Sequence, residues 1–127
     1  MVESINSKAD LVIDATSFLG TATYGKIMIG DKGFEFFNDR NVKDYIQIPW
    51  SEVDYVIVSI VFGGRWIPRY AIRTKQNGTY SFASKDPKKV LRTIRQYVEP
   101  KRIVRSLSMW DVLKNSVLRL THRNKKA

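Results

Sequence analysis

The residues that could carry covalent chemistry are few and badly placed for it. His122 is the only histidine, and it lies in the basic terminal stretch that runs to Ala127. A phosphocarrier or general base needs a structured pocket around its imidazole, and a basic tail supplies none. Without such a partner no Ser or Thr hydroxyl is activated as a nucleophile, and no Gly-x-Ser-x-Gly elbow occurs. Glu52 and Asp54 are two positions apart and would share one face of a strand, which suits a turn cap or a lysine pair better than acid–base work. Gly30-Asp-Lys-Gly33 is not followed by the Gly-Lys-Ser/Thr of a phosphate loop. The chain has no cysteine. That removes thiolates, disulfides and zinc–sulfur sites, and fits a reducing cytoplasm. No cluster of ligating side chains points to a metal. The expectation is a protein that is not an enzyme and holds no cofactor.

Charge is the feature left to explain. Residues 1–63 hold five Lys and Arg against nine acids, whereas residues 64–127 hold seventeen against three, for a formal net charge of +10. Such asymmetry predicts one strongly positive face and an anionic partner: a membrane surface, a nucleic acid or an acidic protein. At 127 residues with 43% hydrophobic content the chain has enough material for one folded domain with its own core. The first eight residues do not read as a secretory leader. The longest apolar run, Val53 to Phe62, contains Asp54 and Ser59 and has about half the length a spanning helix needs.

The elements that must position the charges read mostly as strands. Leu11–Leu19, Tyr24–Ile29, Gly33–Phe37 and Asp44–Ile48 come first, with turn signals at Gly30-Asp-Lys32 and Asn38-Asp-Arg-Asn41. Pro49 stops the fourth. Val53–Phe62 is apolar on both faces, as in a strand covered on both sides. Trp66–Thr74 and Thr79–Ser84 flank Lys75-Gln-Asn77-Gly78, the strongest hairpin signal in the chain. In the sixth strand alternation sets Trp66, Pro68, Tyr70 and Ile72 on one side and Ile67, Arg69, Ala71, Arg73 and Lys75 on the other. A helix then opens on Asp86-Pro87 as cap and first residue, with Val90, Leu91, Ile94, Tyr97 and Val98 on one face, and ends before Pro100. Lys88, Lys89, Arg92 and Arg95 fall largely off that face. A second helix, starting near Ser108, would carry Trp110, Leu113, Val117 and Leu120 on its apolar side.

About seven antiparallel strands followed by a capping helix is a mainly β layout, that of a pleckstrin-homology-like barrel. Ile46-Gln-Ile-Pro-Trp-Ser-Glu-Val53 resembles the entry to the central strand of bacterial pleckstrin-homology-like and GRAM-type domains. The expected division is a barrel with its capping helix over residues 1–100, then a basic amphipathic helix and tail over 101–127. The loop Gly20-Thr-Ala-Thr23 has none of the basic residues that phosphoinositide sites use, which argues against inositol phosphate.

Ala15-Thr-Ser-Phe-Leu-Gly20, Tyr24 to Asp31, Phe34-Glu-Phe36, Asn38 to Val42, Asp44 to Trp50 and Arg105-Ser-Leu-Ser108 together resemble a domain-of-unknown-function family, family 956, of Gram-positive bacteria. Its members are encoded beside mannose-family sugar phosphotransferase genes and are sometimes called ManO. The resemblance implies a cytoplasmic accessory or regulatory protein at the inner face of the membrane, with the transporter's membrane subunits as partner. It carries no catalytic or binding residues over to this chain. The residues themselves nominate a basic face of Arg69, Arg73, Lys88, Lys89, Arg92, Arg95, Lys101, Arg102 and Arg105, and the terminal helix stripe of Trp110, Leu113, Val117 and Leu120. A nucleic-acid-binding regulator and a module for anionic lipid surfaces are the alternative readings. The sequence leaves open a homo-oligomer built on the doubly apolar strand.

Overall fold

A computed structural model describes residues 3–41, 43–60 and 66–106. The chain forms β1 (Ala9–Ser17), β2 (Thr23–Gly30), β3 (Gly33–Asn38), β4 (Tyr45–Pro49), a 3-10 turn (Trp50–Glu52) and β5 (Val53–Ser59). It continues with β6 (Tyr70–Thr74), β7 (Thr79–Ser84), α1 (Pro87–Ile94), a second 3-10 turn (Pro100–Arg102) and β8 (Ile103–Ser106). The strands make one eight-stranded sheet in the order β4-β3-β2-β1-β7-β6-β5-β8. All pairings are antiparallel except β5 with β8, which run parallel in the register Val56↔Ile103.

The mainly β expectation holds, with differences in count and closure. β8 is an eighth strand, absent from the sequence reading, and its parallel pairing departs from the all-antiparallel layout. Only four residues long, it carries too short a pattern to stand out, and its partner is some fifty residues away. No ladder joins β4 to β8 among the described residues, so the sheet is open rather than a closed barrel. The sixth strand begins at Tyr70 rather than Trp66. Pro68 has no N–H to give a ladder, which interrupts pairing at that point. The terminal helix with Trp110, Leu113, Val117 and Leu120 lies outside the described residues, as does His122.

The sheet is strongly curled, and connectivity requires it. β4 and β5 are six strand spacings apart in the order, about 29 Å if the sheet were flat. Three residues, Trp50–Glu52, join them and reach about 14 Å at full extension. The inner face therefore wraps around a core of alternate residues: Ile27 and Ile29, Phe34 and Phe36, Val56, Tyr70 and Ile72, and Phe82, all essentially unexposed. The Phe82 ring lies 5.0 Å from Phe34, 5.9 Å from Phe36 and 6.3 Å from Tyr70, between centroids. It thus couples the β3 side of the curl to the β6 side. Tyr70 donates its hydroxyl to Ser84 at 3.0 Å, and burial pushes its phenol pKa up.

Val90 and Ile94 plug α1 into this core. The Asp86 side chain caps the helix by accepting from the Lys89 N–H at 3.2 Å. The helix stops at Ile94, but Tyr97 and Val98 still face inward, and the Tyr97 ring stacks on Trp50 at 5.1 Å and 8°. Trp50 in turn donates its indole N–H to the Gly30 carbonyl at 2.9 Å. One indole at the β4–β5 corner therefore fastens the β2–β3 turn and the end of the capping segment. Asn77-Gly78 makes the β6–β7 turn, with Gly78 at φ +84, where a side chain would be strained.

Phe82→Ala should lower the unfolding free energy by about 3–5 kcal/mol in urea titrations, as for other aromatic truncations in cores. A loss below about 1 kcal/mol would show that the two sides of the curl are held together elsewhere.

Candidate functional site

The eight residues of α1 show why the charges collect where they do. Positions four apart, Val90 and Ile94, are buried with Thr93, so the opposite side takes Lys88, Lys89 and Arg92, continued by Arg95 at the C-cap, and all four are exposed. None of the four has an acidic partner among the described residues. Lys88 and Lys89 stand in the first turn, which contains no acid. Cations there oppose the helix dipole, at a cost of about 0.3–1 kcal/mol each. Helix stability alone would favour acids in that turn.

The other nominated cations are differently employed. Arg69, just before β6, lays its guanidinium 4.0 Å from the centroid of the Phe18 ring, a cation–π contact. Arg73 pairs with Asp54 at 3.5 Å. Lys101 pairs with Glu99 at 3.2 Å, and Arg102 donates to the Val53 carbonyl at 3.3 Å. Arg105 is exposed on β8. The structure thus gathers Lys88, Lys89, Arg92 and the C-cap Arg95 on one helix face, whereas Arg73 lies on β6 and Arg69 just before it. Ala71, between those two arginines, is fully buried. Among the described residues no group of three or more His, Asp or Glu could hold a metal, and no helix is long and apolar enough to cross a membrane.

Two polar constructions escaped the sequence reading. Glu35 points away from the core, in register with Met28 and Gln47, yet is fully buried. Residues Ser4–Asn6 lie across it as a strap. Its carboxylate accepts from the Ser4 hydroxyl, the Ile5 N–H at 3.3 Å, the Asn6 amide at 2.8 Å and the Gln47 amide at 2.8 Å. Hydrogen bonds alone, with no cation, compensate its desolvation. The Asn6 carbonyl oxygen accepts from the N–H groups of Lys32 and Gly33 at 2.7 and 2.8 Å. A Cβ at Gly33 would come within 2.5 Å of the Ile48 oxygen and 2.6 Å of the Ile5 side chain, so only glycine admits the strap so closely. Asp31 accepts from the N–H groups of Ser7 and Lys8 at 2.8 and 3.1 Å, and this backbone bonding, Lys8 foremost, holds its carboxyl below the usual range. The second construction is Lys26, 3.3 Å from Asp39 and 3.4 Å from Asp14. Its pKa is raised chiefly by the Asp39 and then the Asp14 hydrogen bonds. All three groups are about half exposed, so the network adds little stability.

The profile described as "Domain of unknown function (DUF956)" matches residues 1–117. The chain belongs to the DUF956 family. No curated protein matches it. Among solved structures, this DUF956 protein is similar to the C-terminal domain of an unknown protein from Leishmania infantum, with 11% identity and a TM-score of 0.62. The similarity covers 71% of this chain and 83% of the other, and it bears on the fold alone.

Two outcomes follow for the strap. The folded pKa of Asp31 is depressed, so its contribution is present above the ordinary value of 3.8 and is lost as pH falls through the lower folded value. The Ser7 and Lys8 amide shifts should therefore titrate with a midpoint below 3.8 in NMR spectra, and a midpoint at or above it would contradict the geometry. Glu35→Ala strands the donors of Asn6 and Gln47 and should cost about 1–3 kcal/mol in chemical denaturation.

Proposed function

We propose that this DUF956 protein is a non-enzymatic adaptor that docks through its basic surface on the cytoplasmic face of a mannose-family phosphotransferase transporter. The observation that carries the reading is the row of exposed, unpaired cations on α1, two of them set against the helix dipole. A surface that served solubility alone would tend to mix both signs of charge, whereas here they are segregated. The sequence resemblance supplies the transporter, and the charge supplies the manner of attachment. We read the curled sheet with its inserted helix as a pleckstrin-homology-like scaffold. On it, Lys88, Lys89, Arg92 and Arg95 lead the contact, with Lys101, Arg102 and Arg105 extending it and the Trp110, Leu113, Val117 and Leu120 stripe adding apolar area. The protein then sits peripherally at the inner membrane face. Occupancy regulates uptake if the transporter's states differ in affinity for it.

The test is a pull-down from detergent-solubilised membranes at low salt. The wild-type protein should retain the transporter's membrane subunits, and retention should fall as salt rises. The fourfold variant K88Q, K89Q, R92Q and R95Q should lose at least about ten-fold in retention, since each cation near an anionic surface is worth roughly 1 kcal/mol. Absence of the membrane subunits at low salt would defeat the adaptor reading. Co-sedimentation with anionic vesicles but not with the transporter would favour a lipid-binding module. Shift of duplex DNA in a gel would favour the nucleic-acid alternative.

A further inference from the structure

The sheet opens at β4, and the backbone there is unpaired. Trp50 donates its N–H to the Lys32 carbonyl at 3.0 Å, and Asn38 donates to Asp44 at 3.1 Å. These bonds bracket the β3–β4 ladder, in which Phe34 faces Ile48 and Phe36 faces Ile46. Hydrogen-bonded pairs alternate in an antiparallel ladder, so the bonded positions of β4 are Ile46 and Ile48. Tyr45 and Gln47 therefore turn their N–H and C=O groups outward, into the seam. No backbone bond to these groups closes the edge among the described residues. Across the seam stand Thr74, Asn77 and Tyr80 of the β6–β7 hairpin, enclosing with β4 a groove of about 230 Å³.

The groove has a definite chemistry. Leu19, 60% exposed, and Tyr45, 42% exposed, stand at its rim and give the groove an apolar margin open to solvent. Pro49 and Tyr80 extend the apolar lining, and among the described residues Glu52 is the only charged side chain in it. The site therefore differs in character from the cationic row on α1.

We propose that this seam binds an extended segment of a partner protein, which adds to β4 as an antiparallel strand. Its backbone bonds Tyr45 and Gln47, one apolar side chain enters beside Leu19 and Tyr80, and a basic residue near its N-terminal end meets Glu52. Strand addition draws affinity from main-chain hydrogen bonds and specificity from the pockets between them. An antiparallel guest places its N-terminal end beside the C-terminal end of β4, where Glu52 follows Pro49. Charge complementarity thus selects a basic, apolar strand over an acidic one. This site does not depend on the adaptor reading, and each can fail without the other.

The probe is a capped peptide of alternating valine and threonine with lysine near its N-terminal end, titrated into the full chain and followed by amide NMR. The Tyr45 and Gln47 amides should shift and gain protection from exchange. Replacing the lysine by glutamate should weaken binding about three-fold, the share of a half-exposed ion pair. Glu52→Gln should erase that difference. A peptide N-methylated at alternate positions should not bind. Tyr45→Pro removes one outward N–H at the start of a strand, where proline is tolerated, and should abolish binding while leaving the rest of the spectrum folded. Leu19→Ser, at an exposed position, should weaken binding without unfolding the chain. Unmoved Tyr45 and Gln47 amides at saturating peptide, or equal binding of the N-methylated peptide, would overturn the proposal. So would concentration-dependent protection of the same amides without peptide, which would assign the edge to a second copy of this chain.

Discussion

Three residues between β4 and β5 govern the shape of the molecule. Strands that close in sequence must be close in space, yet they stand six places apart in the sheet order. The sheet can satisfy both conditions only by rolling up. Trp50 sits at that corner and uses both parts of its side chain: the indole N–H on the Gly30 carbonyl and the ring face against Tyr97. Once the sheet is rolled, its inner face has room for large rings, and Phe34, Phe36, Tyr70 and Phe82 fill it. The mouth of the roll is then narrow enough for one short helix, and Val90 and Ile94 close it. The outward row of cations on α1 follows from that inward row of apolar residues.

The same geometry separates the two halves of the charge. Strands β1–β5 carry most of the acids, and these are largely engaged locally: Asp14 and Asp39 on Lys26, Asp54 on Arg73, Asp31 on backbone amides. Glu35, the one fully buried carboxylate among the described residues, is satisfied by neutral donors instead of a cation. That arrangement positions the strap without drawing a basic residue from the surface. Lys88, Lys89, Arg92 and Arg95, on α1 and its C-cap, are exposed and have no acidic partner among the described residues. A molecule so arranged carries exposed cations on one helix face and, separately, a strand edge at β4 whose outward backbone groups are unpaired among the described residues.

Much of the fold was legible where the cause is local. Asn77-Gly78 announced its turn because the backbone there needs a left-handed residue. Asp86-Pro87 announced the helix start because both residues act within one turn of the chain. Alternation marked Ile46 and Ile48 as the inner residues of β4, and the spacing of Val90 and Ile94 separated the core side of α1 from its basic side. Pro68 carried a signal that the longer Trp66–Thr74 run concealed. β8 and the strap were illegible, because Ile103–Ser106 and Ser4–Asn6 have no pattern of their own and gain their conformation from partners about thirty to fifty residues away. Glu35 alternates outward and so reads as exposed; only the distant strap buries it.

The sequence by itself determined a mainly β chain with a capping helix, the division of charge between its halves and the poverty of catalytic side chains, since these depend on residue type and short spacing. The tertiary structure alone decided that the sheet stays open and that β8 pairs parallel to β5. It also decided which cations are already engaged and which are free. The physical reason is that pairing and burial join groups far apart along the chain, and composition holds no record of which distant partner each group meets.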